Sequence, residues 1–149
     1  MATKVTFHEL LASADDNEAI LAIAVRLVEE AFDAKIYATL LCSSQMQAES
    51  IDELLWQKPV NRFIPHALEG EGDDKAVPIV LMWKDQLNEG RRIKNRRLVI
   101  NLTMEILQDF HRIENIHDFV PTETEQKALA RTRYATYKNA QCSMAFNKA

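Results

Sequence analysis

Three short runs of almost uninterrupted apolar residues constrain the fold of this chain most. They are KIYATLLC (35–42), VPIVLMW (77–83) and RLVINL (97–102), and each has the length of a strand. Strands that are hydrophobic on both sides are typical of parallel sheets, which helices cover on both faces. Apolar residues recur at helical spacing in segments 17–33 and 45–56. The pattern predicts an α/β fold with a mostly parallel sheet flanked by helices.

The remaining segments complete this order. KVTFHEL (4–10) is a first strand and IHDFV (116–120) a last short one, with a short helix predicted over 103–112. A helix follows from Thr122 to about Ala140, where Thr122 and Glu125 form a capping box. Segment 57–76 is irregular, and the polar segment 84–97 is a turn or an exposed excursion. With 149 residues, we expect one domain spanning 1–149.

Several locations and partners are disfavoured. No run of about 18 apolar residues indicates a membrane span, and the N-terminus lacks the apolar core of an export signal. The two cysteines lie 100 positions apart, as expected of reduced thiols in a cytoplasmic protein. A net charge of −4 disfavours duplex-DNA binding by bulk charge. We therefore expect a cytoplasmic protein without a membrane contact.

Signatures of catalysis and of cofactor binding are weak. The chain has neither GxGxxG nor GxxxxGK[ST], and its three glycines include no phosphate-binding loop. The four histidines show no HxxxH or HExxH spacing, so no metal site is predicted. We expect no catalytic residue and no cofactor. A small nucleotide-dependent enzyme remains an alternative of a different class.

The last predicted helix carries a cationic line. Lys127, Arg131, Tyr134 and Lys138 are spaced by four, three and four residues, which aligns their side chains along one face. A solvated basic face is one interpretation, and a docking groove for an acidic peptide is the other. By contrast, the basic segment 91–97 has no interleaved aromatic residue, which favours a solvated loop.

A Phe–aliphatic–Pro triplet occurs twice. Phe63-Ile64-Pro65 precedes a glycine-containing turn, and Phe119-Val120-Pro121 precedes the cationic helix. Each proline stiffens its turn and keeps the preceding residue extended. If Trp56 and the first triplet pack beside the second, all of them form walls of one apolar pocket. Core-edge packing of both triplets is the competing interpretation.

These residues carry a family resemblance. DELLWQKPVNRFIPHALEGEG (52–72) and DFVPTETEQKALARTRYATYKNA (118–140) resemble the chi subunit family of bacterial DNA polymerase III holoenzyme. The family shows Leu-Trp-x-x-Pro, Phe-hydrophobic-Pro-His and Gly-Glu-Gly, and then Phe-Val-Pro before an Ala-Arg-x-Arg-Tyr-x-x-Tyr helix. The order of the other elements also fits, so the resemblance covers nearly the whole chain.

The resemblance implies a function. Members are non-catalytic accessory subunits with a Rossmann-like fold that lacks the nucleotide fingerprint. They pair with the psi subunit of the clamp loader. They also bind the acidic C-terminal tail of single-stranded-DNA-binding protein, which ends in Ile-Pro-Phe, so contact with DNA is only indirect. No residues of this chain are assigned to the psi contact.

The resemblance also implies a set of tail-binding residues. Arg131 would pair with the terminal carboxylate of the tail. The pocket for its last Phe would be lined by Trp56, Phe63, Val120 and Tyr134, and the upstream aspartates would be attracted by Lys127 and Lys138. This chain has Ala135 where members can carry Lys, and its basic segment 84–97 is longer than the family pattern. An adaptor that uses the same pocket for a repair helicase is an alternative within this class.

Overall fold

The computed structural model describes residues 2–12, 15–57, 64–70 and 77–148. Within these ranges the strands are β1 (Lys4–Glu9), β2 (Ala38–Cys42), β3 (His66–Leu68), β4 (Ile79–Trp83), β5 (Leu98–Asn101), β6 (Asn115–Val120) and β7 (Ser143–Lys148). The helices are α1 (Asp16–Asp33), α2 (Gln45–Gln57), α3 (Lys84–Asn88) and α4 (Thr124–Asn139). A 3₁₀ turn at Phe110–Arg112 precedes β6.

All seven strands form one parallel sheet in the order β3-β4-β2-β5-β6-β1-β7. Every residue of β2 is buried, as expected of a strand near the middle of a sheet covered on both faces. The predicted α/β class with a parallel sheet flanked by helices is confirmed. The two edges are the three-residue β3 and the more exposed β7.

Two apolar cores lie on opposite faces of the sheet. Leu40 belongs to the core beneath α1 and α2, and its neighbour Leu41 belongs to the core beneath α4. Successive strand residues point to opposite faces, so this division assigns each helix to a face. The α4 core also includes Phe7, Val120 and Tyr137. The site described below lies on the α4 face.

A buried ion pair fixes α4 against the sheet. Nε and Nη2 of Arg133 donate to the two carboxylate oxygens of Asp118 on β6, at 3.1 and 3.2 Å. Nη1 of Arg133 donates to the Met104 carbonyl oxygen at 2.8 Å, and Nη2 also donates to the Phe119 carbonyl oxygen at 3.2 Å. Burial raises the pKa of Asp118, while Arg133 and the hydrogen bonds to the carboxylate oppose that rise. The pair sets the rotation of α4 about its axis.

Some predicted elements differ from the observed ones. IHDFV was predicted to be the last strand, but the exposed β7 follows α4. Segment 103–112 is not a helix and has only the 3₁₀ turn, while α3 opens the segment that was predicted to be a turn. The cap of α4 is Glu123, whose carboxylate accepts from the Gln126 amide, because Thr122 is engaged elsewhere.

Candidate functional site

The connections that follow the adjacent strands β1 and β6 lead to opposite faces of the sheet. After β1 it enters α1 on one face, and after β6 it enters α4 on the other. In open α/β sheets such a switch point is the usual crevice for a ligand. Here the carboxylate of Asp16, the first residue of α1, occupies the entrance to α4. It accepts from the Thr122 amide and hydroxyl and from the Glu123 amide, at 2.7 to 3.2 Å.

This internal carboxylate takes the position that a phosphate group occupies at a helix N-terminus in nucleotide-binding relatives of the fold. Partial burial disfavours the charged form of Asp16, but the hydrogen bonds from Thr122 and Glu123 and the nearby Lys127 hold its pKa below the usual value. The carboxylate therefore stays ionised and places a negative charge beside the N-terminus of α4. Sequence patterns did not indicate this contact, because it joins residues 106 positions apart.

A groove of about 230 Å³ runs beside α4, and we call it the tail groove. Its lining consists of Glu9, Val120, Lys127, Ala130, Arg131, Tyr134 and Phe146. Four of the predicted tail-binding residues thus lie together, namely Val120, Lys127, Arg131 and Tyr134. Helical spacing brings the three α4 side chains to one face, and Val120 ends the strand that leads into the helix.

The groove has an apolar floor with cations at its side. The ring of Tyr134 packs on Phe7 of β1, with ring centroids 5.3 Å apart. Val120 is buried beneath it, whereas Phe146 of the edge strand β7 is 46% exposed. Arg131 is exposed and Lys127 half-buried. The arrangement can accept an apolar side chain and hold an anionic group next to it.

Three lining residues were not among the predicted ones, namely Glu9, Ala130 and Phe146. Phe146 lies on β7, a strand that is too exposed to show a buried apolar pattern. Glu9 ends β1, and its carboxylate lines a groove that is otherwise cationic. The alternation in SMAFNK is the only local signal for this strand, and it does not reveal that β7 pairs with β1.

The expectation that Trp56 packs beside Val120 is wrong. Trp56 ends α2, which packs on β2, β3 and β4 on the face opposite α4, and its ring lies 4.8 Å from that of His66 on the edge strand β3. Four strand intervals separate β3 from β6, or about 19 Å at the usual spacing. Ile64 of the first triplet lies in the core on the face opposite Val120, so the described part of that triplet does not share a pocket with Val120. The predicted site residue Phe63 lies outside the described residues.

Lys138 continues the line of Lys127, Arg131 and Tyr134, but it does not line the tail groove. It lies in the last turn of α4 and is exposed. A cation there can attract a charged segment at longer range without touching a side chain bound in the groove.

Titratable groups elsewhere in the described part of the chain do not form a metal centre. Among the residues that the structure describes, no group of three or more histidine, cysteine or acidic side chains converges. The closest histidines are His8 and His117 on β1 and β6, whose Nε2 and Nδ1 atoms lie 2.9 Å apart. Burial lowers the pKa of each to about 4, and Arg26 lowers both, while Lys4 and the facing ring lower that of His117 further.

This histidine pair predicts acid lability. Because its folded pKa lies below its unfolded value, the unfolded state binds more protons between about pH 6.5 and pH 4, and stability falls as the pH falls through that window. We expect the free energy of unfolding to drop from pH 7 to pH 5 by on the order of 2 kcal/mol for each histidine of the pair. Urea denaturation at each pH measures it. The double variant His8→Gln/His117→Gln should flatten this dependence and the exposed His111→Gln should not; equal slopes in all three would contradict the assignment.

Comparison with protein families places these features in context. Residues 2–145 match the family model described as DNA polymerase III chi subunit, HolC. Three curated relatives carry the name DNA polymerase III subunit chi. The Haemophilus influenzae protein is 42% identical over 93 residues, the Escherichia coli protein 34% over 101, and the Pseudomonas aeruginosa protein 29% over 136.

These matches differ in how much of each chain they cover. They span 62%, 68% and 91% of this chain, in the same order. They span 62% and 66% of the first two relatives, which is less than two thirds of each, and 89% of the third. Among solved structures, the crystal structure of T4 UvsW is similar over 99% of this chain and 41% of its own, with a TM-score of 0.62 and 11% identity. That likeness concerns the fold alone.

Within the described ranges, no helix is both long and apolar enough to cross a bilayer.

Proposed function

Because the chain belongs to the DNA polymerase III chi subunit family, we propose that it binds the acidic C-terminal tail of single-stranded-DNA-binding protein in the tail groove. The main support for this proposal is that Val120, Lys127, Arg131 and Tyr134 line the same groove. A chain end that finishes in Asp residues and Ile-Pro-Phe offers the complementary groups. These are an aromatic ring, a terminal carboxylate and a run of negative charge.

Each part of the groove has a distinct role in the proposal. The floor of Val120 and Tyr134 receives the last Phe ring, and Phe146 closes its outer side. Arg131 presents a planar fork that matches a carboxylate in two hydrogen bonds, which a Lys ammonium does not reproduce. Lys127 also faces Asp16, so part of its charge is already neutralised within the protein. Lys138 acts on the upstream aspartates at longer range.

We propose further that the chain is a non-catalytic accessory subunit that joins the tail-bearing protein to the clamp loader through the psi subunit. The switch point between β1 and β6 supports a binding role over nucleotide-dependent catalysis, because the Asp16 carboxylate lies beside the N-terminus of α4 and would repel a phosphate there. No residues are assigned to the psi contact.

Calorimetry with two synthetic peptides tests the proposal. One peptide carries the acidic run with Ile-Pro-Phe, and the other lacks the final Phe. We expect binding of the first and at least about tenfold weaker binding of the second, since an unfilled aromatic pocket forfeits at least about 1.4 kcal/mol. Trp56→Ala is the matched control because Trp56 lies at the far edge of the sheet. Equal affinity for both peptides, or loss of binding in Trp56→Ala, would contradict the tail groove.

A further inference from the structure

A second and larger groove lies on the α4 face, and we call it the arginine groove. It encloses about 470 Å³ between the excursion that follows β4 and the one that follows β5. The first wall is formed by residues 84, 87, 88, 90–93 and 96, and the second by residues 103, 105–109, 112 and 113. Leu41 of the central strand β2 lies at its base. The segment that the sequence analysis interpreted as a solvated loop is therefore one wall of a concave site.

The groove is strongly cationic in a protein whose net charge is −4. Five cations line it, Lys84, Arg91, Arg92, Arg96 and Arg112, against two carboxylates, Glu105 and Asp109. Lys84 forms an ion pair with Glu105.

Among the residues that the structure describes, the other cations of the groove have no ion-pair partner. Arg91 lies against Gly70, and no carboxylate in the described ranges lies within ion-pair distance of Arg92, Arg96 or Arg112. Lys94 and Arg97, which interleave with them, do pair, with Glu69 and Glu114. Within segment 91–97, the arginines without an ion pair to a described residue are thus the ones that line the groove.

The backbone that presents these arginines is held firmly. The side-chain amide of Asn95 donates to the carbonyl oxygens of Ala38 and Val77, at 3.1 and 3.2 Å, and its backbone amide donates to Thr39 Oγ1 at 3.0 Å. The Glu114 amide donates to the Arg96 carbonyl oxygen at 3.0 Å, which ties the two excursions together. The groove is therefore set before any ligand enters, which lowers the entropic cost of binding.

Apolar side chains lie between the cations. Leu87 and Ile93 come from the first wall, and Ile106, Leu107 and Ile113 from the second. Ile106 is 39% exposed, so part of this surface is open to a ligand. A ligand that fits must combine anionic groups with flat apolar surface.

We propose that the arginine groove binds single-stranded nucleic acid. Phosphodiester groups match the guanidinium fork in two hydrogen bonds, and all unpaired cations of the groove are arginines. Unstacked bases pack on apolar side chains and on the planes of arginines, and double-stranded DNA does not offer those base faces. A volume of 470 Å³ lies in the range of small-ligand pockets, enough for one or two nucleotides of a strand that continues past it. An acidic peptide would use the charges but not the apolar surface.

The arginine groove lies next to the helix that carries the tail groove. Leu107 of the second wall and the nearby Phe110 contact Tyr137 of α4. The Leu107 amide donates to Tyr137 Oη at 3.4 Å, and the rings of Phe110 and Tyr137 lie 5.0 Å apart. The arginine groove and the tail groove therefore flank the same helix. A strand held in one would lie beside a tail held in the other, so contact with DNA would be direct as well as indirect. Strand binding itself does not depend on the tail.

Fluorescence anisotropy with a labelled oligothymidylate of about 15 nucleotides tests the proposal over a salt titration. The informative variant is Arg92→Gln/Arg96→Gln, and Lys94→Gln/Arg97→Gln is its matched control, since it removes the same charge from the same segment outside the groove. We expect weak binding by the wild type, roughly tenfold weaker binding by the groove variant and little change in the control. The salt slope of the groove variant should be shallower by about 1.4, or about 0.7 for each lost phosphate contact.

Competitors and one further variant separate the alternatives. A duplex of equal length, ATP and an acidic peptide should displace the strand poorly, and Arg131→Ala should bind it like the wild type. The assignment would be overturned if ATP or the peptide displaced the labelled strand as well as unlabelled strand does, with the competitors compared at equal concentrations of negative charge. Equal loss in both double variants would also overturn it, because bulk charge would then explain binding. Circular dichroism establishes that each variant is folded, and absence of any binding at about 20 mM salt would refute the proposal.

Discussion

Arg133→Met is expected to lower the free energy of unfolding by about 3–5 kcal/mol, the typical cost of removing one partner of a buried ion pair. Asp118 is fully buried and Arg133 is 4% exposed, so the remaining carboxylate would have no water to replace its partner. The Met104 and Phe119 carbonyl oxygens would lose a donor as well. Urea denaturation followed by circular dichroism measures the loss.

The pH dependence of that loss identifies its cause. Without Arg133, burial raises the pKa of Asp118 further above the unfolded value of about 3.9. A carboxyl with a raised folded pKa binds more protons in the folded state, so the destabilisation is full at high pH and shrinks as the pH falls towards the unfolded pKa. We expect a smaller difference between wild type and variant at pH 5 than at pH 8.

Two variants serve as controls for the ion pair. Arg131→Met removes an exposed arginine two positions away on the same helix and should change stability by less than about 0.5 kcal/mol. Asp118→Leu/Arg133→Met should recover part of the loss, because it leaves no buried charge behind. An Arg133→Met protein within about 1 kcal/mol of wild type, or one whose deficit grows in acid, would show that the pair does not anchor α4 in this way.

Local patterns predicted the parts of the site that one element carries. Lys127, Arg131 and Tyr134 could be placed on one face from spacing alone, because helix geometry depends only on neighbouring residues. A different side of α4, where Ala130 and Tyr137 lie, is buried against the sheet. The continuous apolar runs predicted a parallel sheet because burial on both faces leaves no polar side to the strand.

Features that join distant segments were not predictable in this way. Strand order places Trp56 at one edge of the sheet and the tail groove at the other. No local sequence pattern reveals the strand order, so this separation was not predicted. Thr122 does not cap α4, because it donates to Asp16 of α1, a residue 106 positions away in the sequence. Phe146 lies on a strand with no buried pattern of its own, because an exposed edge strand needs little apolar surface.

Arg131→Ala is expected to weaken binding of the Phe-terminated acidic peptide by at least about tenfold, and this follows from the proposed tail contact. Arg131 is exposed in the free protein, and a carboxylate seated beside Tyr134 and Phe146 would screen the pair from water on one side. Truncating one partner of a partly desolvated charge pair costs on the order of 2–5 kcal/mol. A tenfold increase in the dissociation constant corresponds to only about 1.4 kcal/mol. Calorimetry at about 100 mM salt measures it.

The neighbouring charges of the tail groove should respond differently, and the contrast tests the assignment of roles. Lys127→Ala and Lys138→Ala should cost less than Arg131→Ala, because Lys127 is shared with Asp16 and Lys138 stands outside the groove, and both should mainly flatten the salt dependence. Glu9→Gln should strengthen binding, since it removes a negative charge that faces an acidic ligand. If folded Arg131→Ala binds like the wild type, or if Glu9→Gln weakens the complex, the tail does not lie in this groove with its carboxylate on Arg131.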